Sequence, residues 1–332
     1  MTLSEAGDKR VDGGRGLTRR ALLTGAAAAV IATRAAAQSS PATAKGPKVF
    51  LDYDQAELDR AYDQRFWAPN IEHVIKRYAL NSEAVRARLG PPRTLAYGPT
   101  AIETLDVYPT TRTNAPVMVF LHGGAWRTGK AKDYAFAAEL FVRAGAHYVA
   151  PDFATAMEVG LDGMVAQVRR AVAWVGKNAA TFGGDPNRIY VGGHSSGGHL
   201  AGNVLVTDWA RDFCLPATAV KGGLVVSGMY DLKAVRLSAR SSYVQFDDRI
   251  EHELSSQRHL ARLACPVIVA YGDLESPEFQ RQSREFADAV RWARRLESLI
   301  VGQAYNHFEI IETLANPYGL LGRAALAQMR LG

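Results

Sequence analysis

The sequence predicts an α/β fold, a mostly parallel central sheet flanked by helices with a small cap over one end, and two observations carry that prediction. From about residue 95, short apolar runs alternate with longer stretches of helical periodicity, the order that a sheet between two helix layers produces. Several of those runs are continuous and β-branched, as strands buried on both faces require. Taken in order, strands are expected at residues 103–108, 117–121, 146–150, 188–191, 223–226, 267–271 and 296–301. Between them, residues 132–144, 161–182, 197–209 and 277–294 repeat apolar positions at helical spacing. Pro277 suits the first turn of the last one, because its φ is preset and its missing N–H is not needed there. Two amphipathic stretches, 55–66 and 71–89, are expected to cross the sheet or lid the site. Residues 230–260 are polar, charged and irregular, and read as a cap above the carboxyl ends of the strands, where substrate pockets form.

The first 37 residues read as an address. Thr18-Arg19-Arg20-Ala21-Leu22-Leu23 sets paired arginines before an apolar run over 21–32, and Ala35-Ala36-Ala37 supplies small residues for a cut before Gln38. The pattern resembles a twin-arginine signal and implies an exported, periplasmic or secreted bacterial protein. The run is shorter than the roughly 20 residues that span a bilayer, so no permanent anchor is expected. Residues 38–48 are then a polar leader and 49–332 a single domain.

Charge follows the same division. The chain has 332 residues with 39 basic and 33 acidic side chains, a net charge of +6. Residues 1–37 hold six basic and three acidic groups, so half of that excess lies in the address, and no polyanionic partner is called for. The basic residues form no stripe interleaved with aromatics, which argues against nucleic-acid binding. With 48% hydrophobic and 22% charged residues the composition excludes disorder and collagen-like repeats. Two cysteines, Cys214 and Cys265, cannot build a disulfide scaffold or a zinc ribbon, and whether they pair is open.

Gly193-His194-Ser195-Ser196-Gly197 lies between a predicted strand and a predicted helix. That is the setting in which G-x-S-x-G presents a serine on a sharp, strained turn, its glycines leaving room where strand and helix meet. Ser195 fits that frame. His122-Gly123-Gly124-Ala125-Trp126 directly follows the strand at 117–121, where bare backbone N–H groups can face a developing oxyanion. Gly123, Gly124 and the N–H of Ser196 are the oxyanion-hole candidates. A serine hydroxyl needs a base to take its proton and a carboxylate to orient that base. Of the histidines after Ser195, only His307 follows the last predicted strand; His199 falls in the helix after the serine, and His252 and His259 in the polar insertion. For the acid, Asp273 and Glu275 compete in the turn after the strand at 267–271.

With these motifs the chain resembles an α/β-hydrolase of the hormone-sensitive-lipase-like esterase group, and within it the serine-dependent kynurenine formamidase (arylformamidase) branch. The resemblance rests on residues 51–59, 122–126, 193–201, 276–279 (Ser-Pro-Glu-Phe) and 306–309, spread over nearly all of the mature chain. It implies an acid immediately before the Ser-Pro-Glu-Phe stretch, which is Glu275. The branch usually carries Asp at that place, so Asp273 stays open as the alternative. The implied activity is that of a serine hydrolase cleaving a carboxylic ester or aryl formamide through an acyl-enzyme, on a small-molecule substrate, with no cofactor and no metal. The rival reading is a non-catalytic ligand-binding protein on the same fold. Tyr53, Trp126 and Phe153 are candidate pocket walls, and the oligomeric state is open.

Overall fold

In the computed structural model residues 45–331 are described, and Gly46–Gly332 form one compact unit. The address expected at residues 1–37, and most of the polar leader after it, lie outside the described residues. Eight strands make one sheet: β1 (Arg93–Ala96), β2 (Thr104–Tyr108), β3 (Ala115–Leu121), β4 (His147–Pro151), β5 (Gly184–His194), β6 (Val220–Val226), β7 (Val267–Gly272) and β8 (Leu296–Gly302). Their spatial order is β1-β2-β4-β3-β5-β6-β7-β8. β1 with β2 and β2 with β4 pair antiparallel; every other pairing is parallel.

Alternation along the strands divides the sheet between two cores. Val117, Val119 and Leu121 of β3 enter one cluster with Val191, Val225 and Val269. Met118 and Phe120 enter the other with Tyr190, Leu224, Ile268 and Ala270. A strand with both faces buried reads as a continuous apolar run, which is why β3, β6 and β7 were recognisable from sequence. β1 was not: its four residues are largely exposed at the sheet edge and carry little apolar signal. β5 starts earlier than the 188–191 run, because Gly184 already pairs with Ala115 ahead of a register shift.

The helices before the cap are α1 (Gln55–Tyr62), α2 (Gln64–Trp67), α3 (Ile71–Leu89), α4 (Ala138–Ala144), α5 (Ala156–Asn178) and α6 (Ser196–Leu205). α1 is opened by Asp54, whose carboxylate accepts from the Glu57 N–H in a reciprocal capping box. The helix expected over 132–144 is split: residues Ala131–Ala137 form a 3₁₀ segment before α4. Its entry is fastened from outside, the Ala131 N–H donating to the Asp152 carboxylate at 2.7 Å. α6 ends at Leu205, earlier than the 197–209 pattern, with a separate helix α7 (Trp209–Phe213) beyond it.

The 230–260 insertion is not irregular. It folds into α8 (Lys233–Leu237), a 3₁₀ turn Ala239–Ser242 and α9 (Asp248–Leu254). Each is too short to show a period in sequence, and local caps stabilise them instead: Ser238 accepts from the Arg240 N–H and Asp247 from the Ile250 N–H. The chain then runs through β7, α10 (Pro277–Trp292), β8, α11 (Glu309–Glu312) and α12 (Leu320–Gln328). α10 begins at Pro277 with Ser276 capping the Phe279 N–H. Cys214 is exposed, Cys265 is buried, and both are free thiols.

Candidate active site

Ser195 stands alone between the end of β5 and the start of α6, with φ 58° and ψ −124°. A non-glycine residue there is strained, and the neighbouring glycines make the turn possible. A Cβ at Gly193 would lie 2.1 Å from the Gly197 carbonyl oxygen, and one at Gly197 would lie 2.1 Å from the Leu121 carbonyl oxygen. Both collisions are with backbone, so neither can be relieved by a rotamer. The Ser195 N–H donates to Val226 O at 2.9 Å, tying the turn to β6.

The structure brings Ser195, His307 and Glu275 into one line. His307 Nε2 is 2.8 Å from Ser195 Oγ, and His307 Nδ1 is 2.8 Å from Glu275 Oε2. All three side chains are buried. The other carboxylate oxygen accepts from Ser227 Oγ at 2.6 Å and from the Gly272 N–H at 2.7 Å, so the carboxylate can turn only by breaking bonds. Ser227 carries no motif and was invisible in sequence; it is fully buried with φ 52°. Gly272 also lets the loops after β7 and β8 close on each other, since a Cβ there would lie 2.1 Å from Tyr305 O. Asp273, the alternative acid, points elsewhere: its Oδ1 accepts from the Ala304 N–H at 2.7 Å and holds the loop that carries His307.

The His122–Trp126 turn faces the serine. Gly124 and Ala125 line the cavity above Ser195. Gly123 packs directly against the serine turn: a Cβ on it would sit 3.0 Å from His194 O and 3.2 Å from Ser195 Cβ. Gly124 has φ 132°, and a Cβ on it would lie 1.9 Å from Thr128 O. Ala125 follows at φ 54°. Ser196 is the first residue of α6, so its N–H has no acceptor within the helix.

The three expected pocket walls are not walls. Trp126 is buried, and its indole N–H donates to His199 Nδ1 at 3.2 Å, linking the glycine turn to α6. Phe153 stacks on His122 with ring centroids 4.2 Å apart. Tyr53 packs against the main core. Each fills volume behind the site. The cavity, about 730 Å³, is walled instead by Tyr62, Phe66, Ile71, Tyr134, Tyr243 and Phe308 around Ser195 and His307. Most of these come from the α1–α3 segment and the cap, whose chain separation from Ser195 hides them from sequence reading.

Two buried histidines frame the site in neutral form. His194 lies beside His307 with ring centroids 4.9 Å apart and donates from Nε2 to the His307 carbonyl at 2.7 Å. Burial, then the neighbouring His307, holds it well below the usual histidine range. His199 is pushed down to about 4, chiefly by burial; it accepts from Trp126 on one nitrogen and donates to Leu254 O from the other. Unfolded histidine takes up a proton near pH 6.5, and folded His199 resists until about pH 4. The unfolded state therefore binds more protons in that window, and stability falls as pH drops through it. His199 alone should contribute about 3 kcal/mol of loss by pH 4. Urea denaturation at pH 7.5, 6 and 4.5 should show a steeper decline for the wild type than for His199→Asn. Parallel slopes would contradict the neutral, buried state.

Comparisons with known proteins fit this geometry. A family model described as BD-FAE matches residues 105–213. The kynurenine formamidase of Danio rerio is 33% identical over 284 residues, covering 81% of this chain and 94% of that protein. The chain belongs to the α/β-hydrolases, in the hormone-sensitive-lipase-like esterase group related to the arylformamidases. Esterase LipC of Mycobacterium tuberculosis is 29% identical over 227 residues, covering 61% of this chain and 56% of that protein. Among solved structures, a candidate thioesterase from Silicibacter sp. superposes with a TM-score of 0.71 at 24% identity, covering 80% of this chain and 97% of that one, a likeness of fold. The mostly parallel eight-stranded sheet is the α/β-hydrolase sheet. Relatives in this family are esterases and formamidases, and the chain is a hydrolase of the ester or formamide type. Among the described residues, no helix is long and apolar enough to cross a membrane.

Proposed function

We propose that the chain is a serine hydrolase that cleaves a carboxylic ester or aryl formamide through an acyl-enzyme formed on Ser195. The carrying observation is the unbroken line Ser195 Oγ, His307, Glu275 at the floor of the cavity, with both bonds 2.8 Å. His307 Nε2 takes the Ser195 proton as Oγ attacks the carbonyl carbon; Nδ1–H stays bonded to Glu275, which steadies the imidazolium. The tetrahedral oxyanion is held by the N–H groups of Gly123, Gly124 and Ser196, the last at the positive end of α6. His307 then gives the proton to the departing alcohol or amine, and water activated by the same ring releases the acid. Fluorophosphonate labelling tests this directly: the wild type should be modified at Ser195, and an unlabelled protein would favour a non-catalytic binding role.

Glu275→Gln keeps the shape but favours the wrong histidine tautomer, and should lower kcat by about 10³- to 10⁴-fold. Asp273→Asn should stay within roughly threefold, because it removes a loop hydrogen bond and not the orienting carboxylate. Steady-state kinetics on a short p-nitrophenyl ester separate the two. A reversed order would reassign the acid. The same assay set against N-formyl-kynurenine ranks ester against formamide. Residues 1–37 are proposed to direct export; replacing Arg19 and Arg20 by Lys should retain the protein in the cytoplasmic fraction.

A further inference from the structure

A phenol hydroxyl with an uncommitted proton lies where the glycine turn meets the serine turn. Tyr134 belongs to the 3₁₀ segment Ala131–Ala137, is 8% exposed, and lines the cavity together with Gly124, Ser195 and His307. A Cβ on Gly123 would lie 3.1 Å from Tyr134 Oη and 3.2 Å from Ser195 Cβ, so the phenol and the nucleophilic side chain flank the same glycine. Two tyrosines of the same aromatic cluster have their protons engaged: Tyr148 donates to Tyr134 O at 2.9 Å, and Tyr78 donates to Phe308 O. No carbonyl or carboxylate among the described residues accepts from Tyr134 Oη. Burial raises its pKa above the ordinary phenol range, so it stays a neutral O–H donor at any working pH.

The fold holds this side chain unusually firmly. Fully buried Ser82 donates to Asp133 O and accepts from the Phe136 N–H, both at 2.9 Å, and so clamps the backbone on either side of Tyr134. The ring stacks on Phe120 with centroids 6.2 Å apart and meets Tyr78 at 5.6 Å, Phe136 at 5.9 Å and His122 at 6.0 Å. An apolar wall would need only the ring, and a phenylalanine would supply it without removing a hydroxyl from water. A rigid donor aimed into a site that excludes water is the arrangement that stabilises developing negative charge, because nothing has to reorganise when the charge forms.

We propose that Tyr134 is a catalytic residue, its hydroxyl donating a hydrogen bond to the tetrahedral oxyanion from the side of Gly123 and adding a side-chain donor to the N–H groups of Gly123, Gly124 and Ser196. This rests on the hydrolase reading and deepens its mechanism. No proton changes hands at Tyr134. The O–H bond stays intact, the negative charge stays on the former carbonyl oxygen, and the contact relaxes when the carbonyl re-forms and the leaving group departs with the proton from His307. Because the ground-state carbonyl oxygen carries less charge, the bond is strongest in the transition state and acts on kcat more than on KM.

Tyr134→Phe keeps the ring and removes only Oη. It should lower kcat/KM by about 10²-fold, the effect of one oxyanion donor, with KM within roughly threefold and the thermal melt unchanged. Two further readings separate chemistry from packing. An aryl trifluoromethyl ketone, which forms a tetrahedral oxyanion on Ser195, should bind the variant about 10²-fold more weakly, whereas the corresponding carbinol should bind both proteins alike. Should the melt fall instead, the ratio of ketone to carbinol affinity still decides, since both are read on folded protein. The p-nitrophenyl and ethyl esters of one acid should lose the same factor, because the oxyanion is common to both. An unchanged kcat/KM, equal weakening of ketone and carbinol, or a loss confined to the ethyl ester, which would place the bond on the leaving oxygen, overturns the proposal. Wild type that is labelled by fluorophosphonate and turns over ester no faster than Tyr134→Phe leaves the hydrolase standing without this donor. Wild type that is neither labelled nor active removes the hydrolase reading and the role of Tyr134 with it.

Discussion

Ser195→Ala should lower kcat for any ester or formamide substrate by at least about 10⁴-fold, down to whatever the oxyanion donors and binding alone provide. The side chain is the only nucleophile within reach of His307 Nε2 in the described site. Removing it cannot be compensated by Ser196, which begins α6 and is buried. Stability should hardly change, because Ala and Ser share the strained φ of 58° and the lost bond is a single one to His307. The check is paired: turnover of a p-nitrophenyl ester together with a thermal melt. Activity within tenfold of wild type, at an unchanged melting temperature, would mean that another residue carries the chemistry.

Gly197→Ala should damage both the fold and the chemistry. Its Cβ would lie 2.1 Å from Leu121 O and 2.5 Å from His122 O, both backbone atoms at the end of β3. α6 must then move away from the central strands, or β3 must bend, and both options disturb packed core. Overpacking of this kind costs about 3 kcal/mol or more, a fall in melting temperature of roughly 5–10 °C for a domain of this size. Displacing the serine turn from the glycine turn by even about 1 Å should cost a further 10²-fold in kcat. Calorimetry and the rate of fluorophosphonate labelling read the two effects separately. A variant that melts and labels like wild type would show that the turn is far more yielding than its contacts imply.

Legibility in this chain depended on whether the information was local. β3, β6 and β7 announced themselves because burial on both faces leaves continuous apolar runs, and Ser195 because its turn demands glycines at fixed offsets. His307 followed from chain order. Choosing between Asp273 and Glu275 was different: both sit in the same turn, and local pattern could not say which reaches the imidazole. Ser227 lacked any periodic or motif signal, and His194 sits inside the serine motif at a position whose role the motif does not fix, because what makes them matter is a contact across the fold.

The aromatic walls make the same point in reverse. Trp126, Phe153 and Tyr53 were expected to line the pocket from their proximity to motifs, yet Trp126 and Phe153 buttress the histidines behind it and Tyr53 packs into the core. The walls come from α1, α2 and the cap, up to 180 residues apart in the chain where Ala239 meets Asp59. By itself, then, the sequence determined the sheet, the strained serine turn and the class of chemistry, since each rests on steric and periodic rules that act over a few residues. Only the tertiary structure decided which carboxylate orients His307 and which residues wall the cavity, because those depend on distances between segments that only folding brings together.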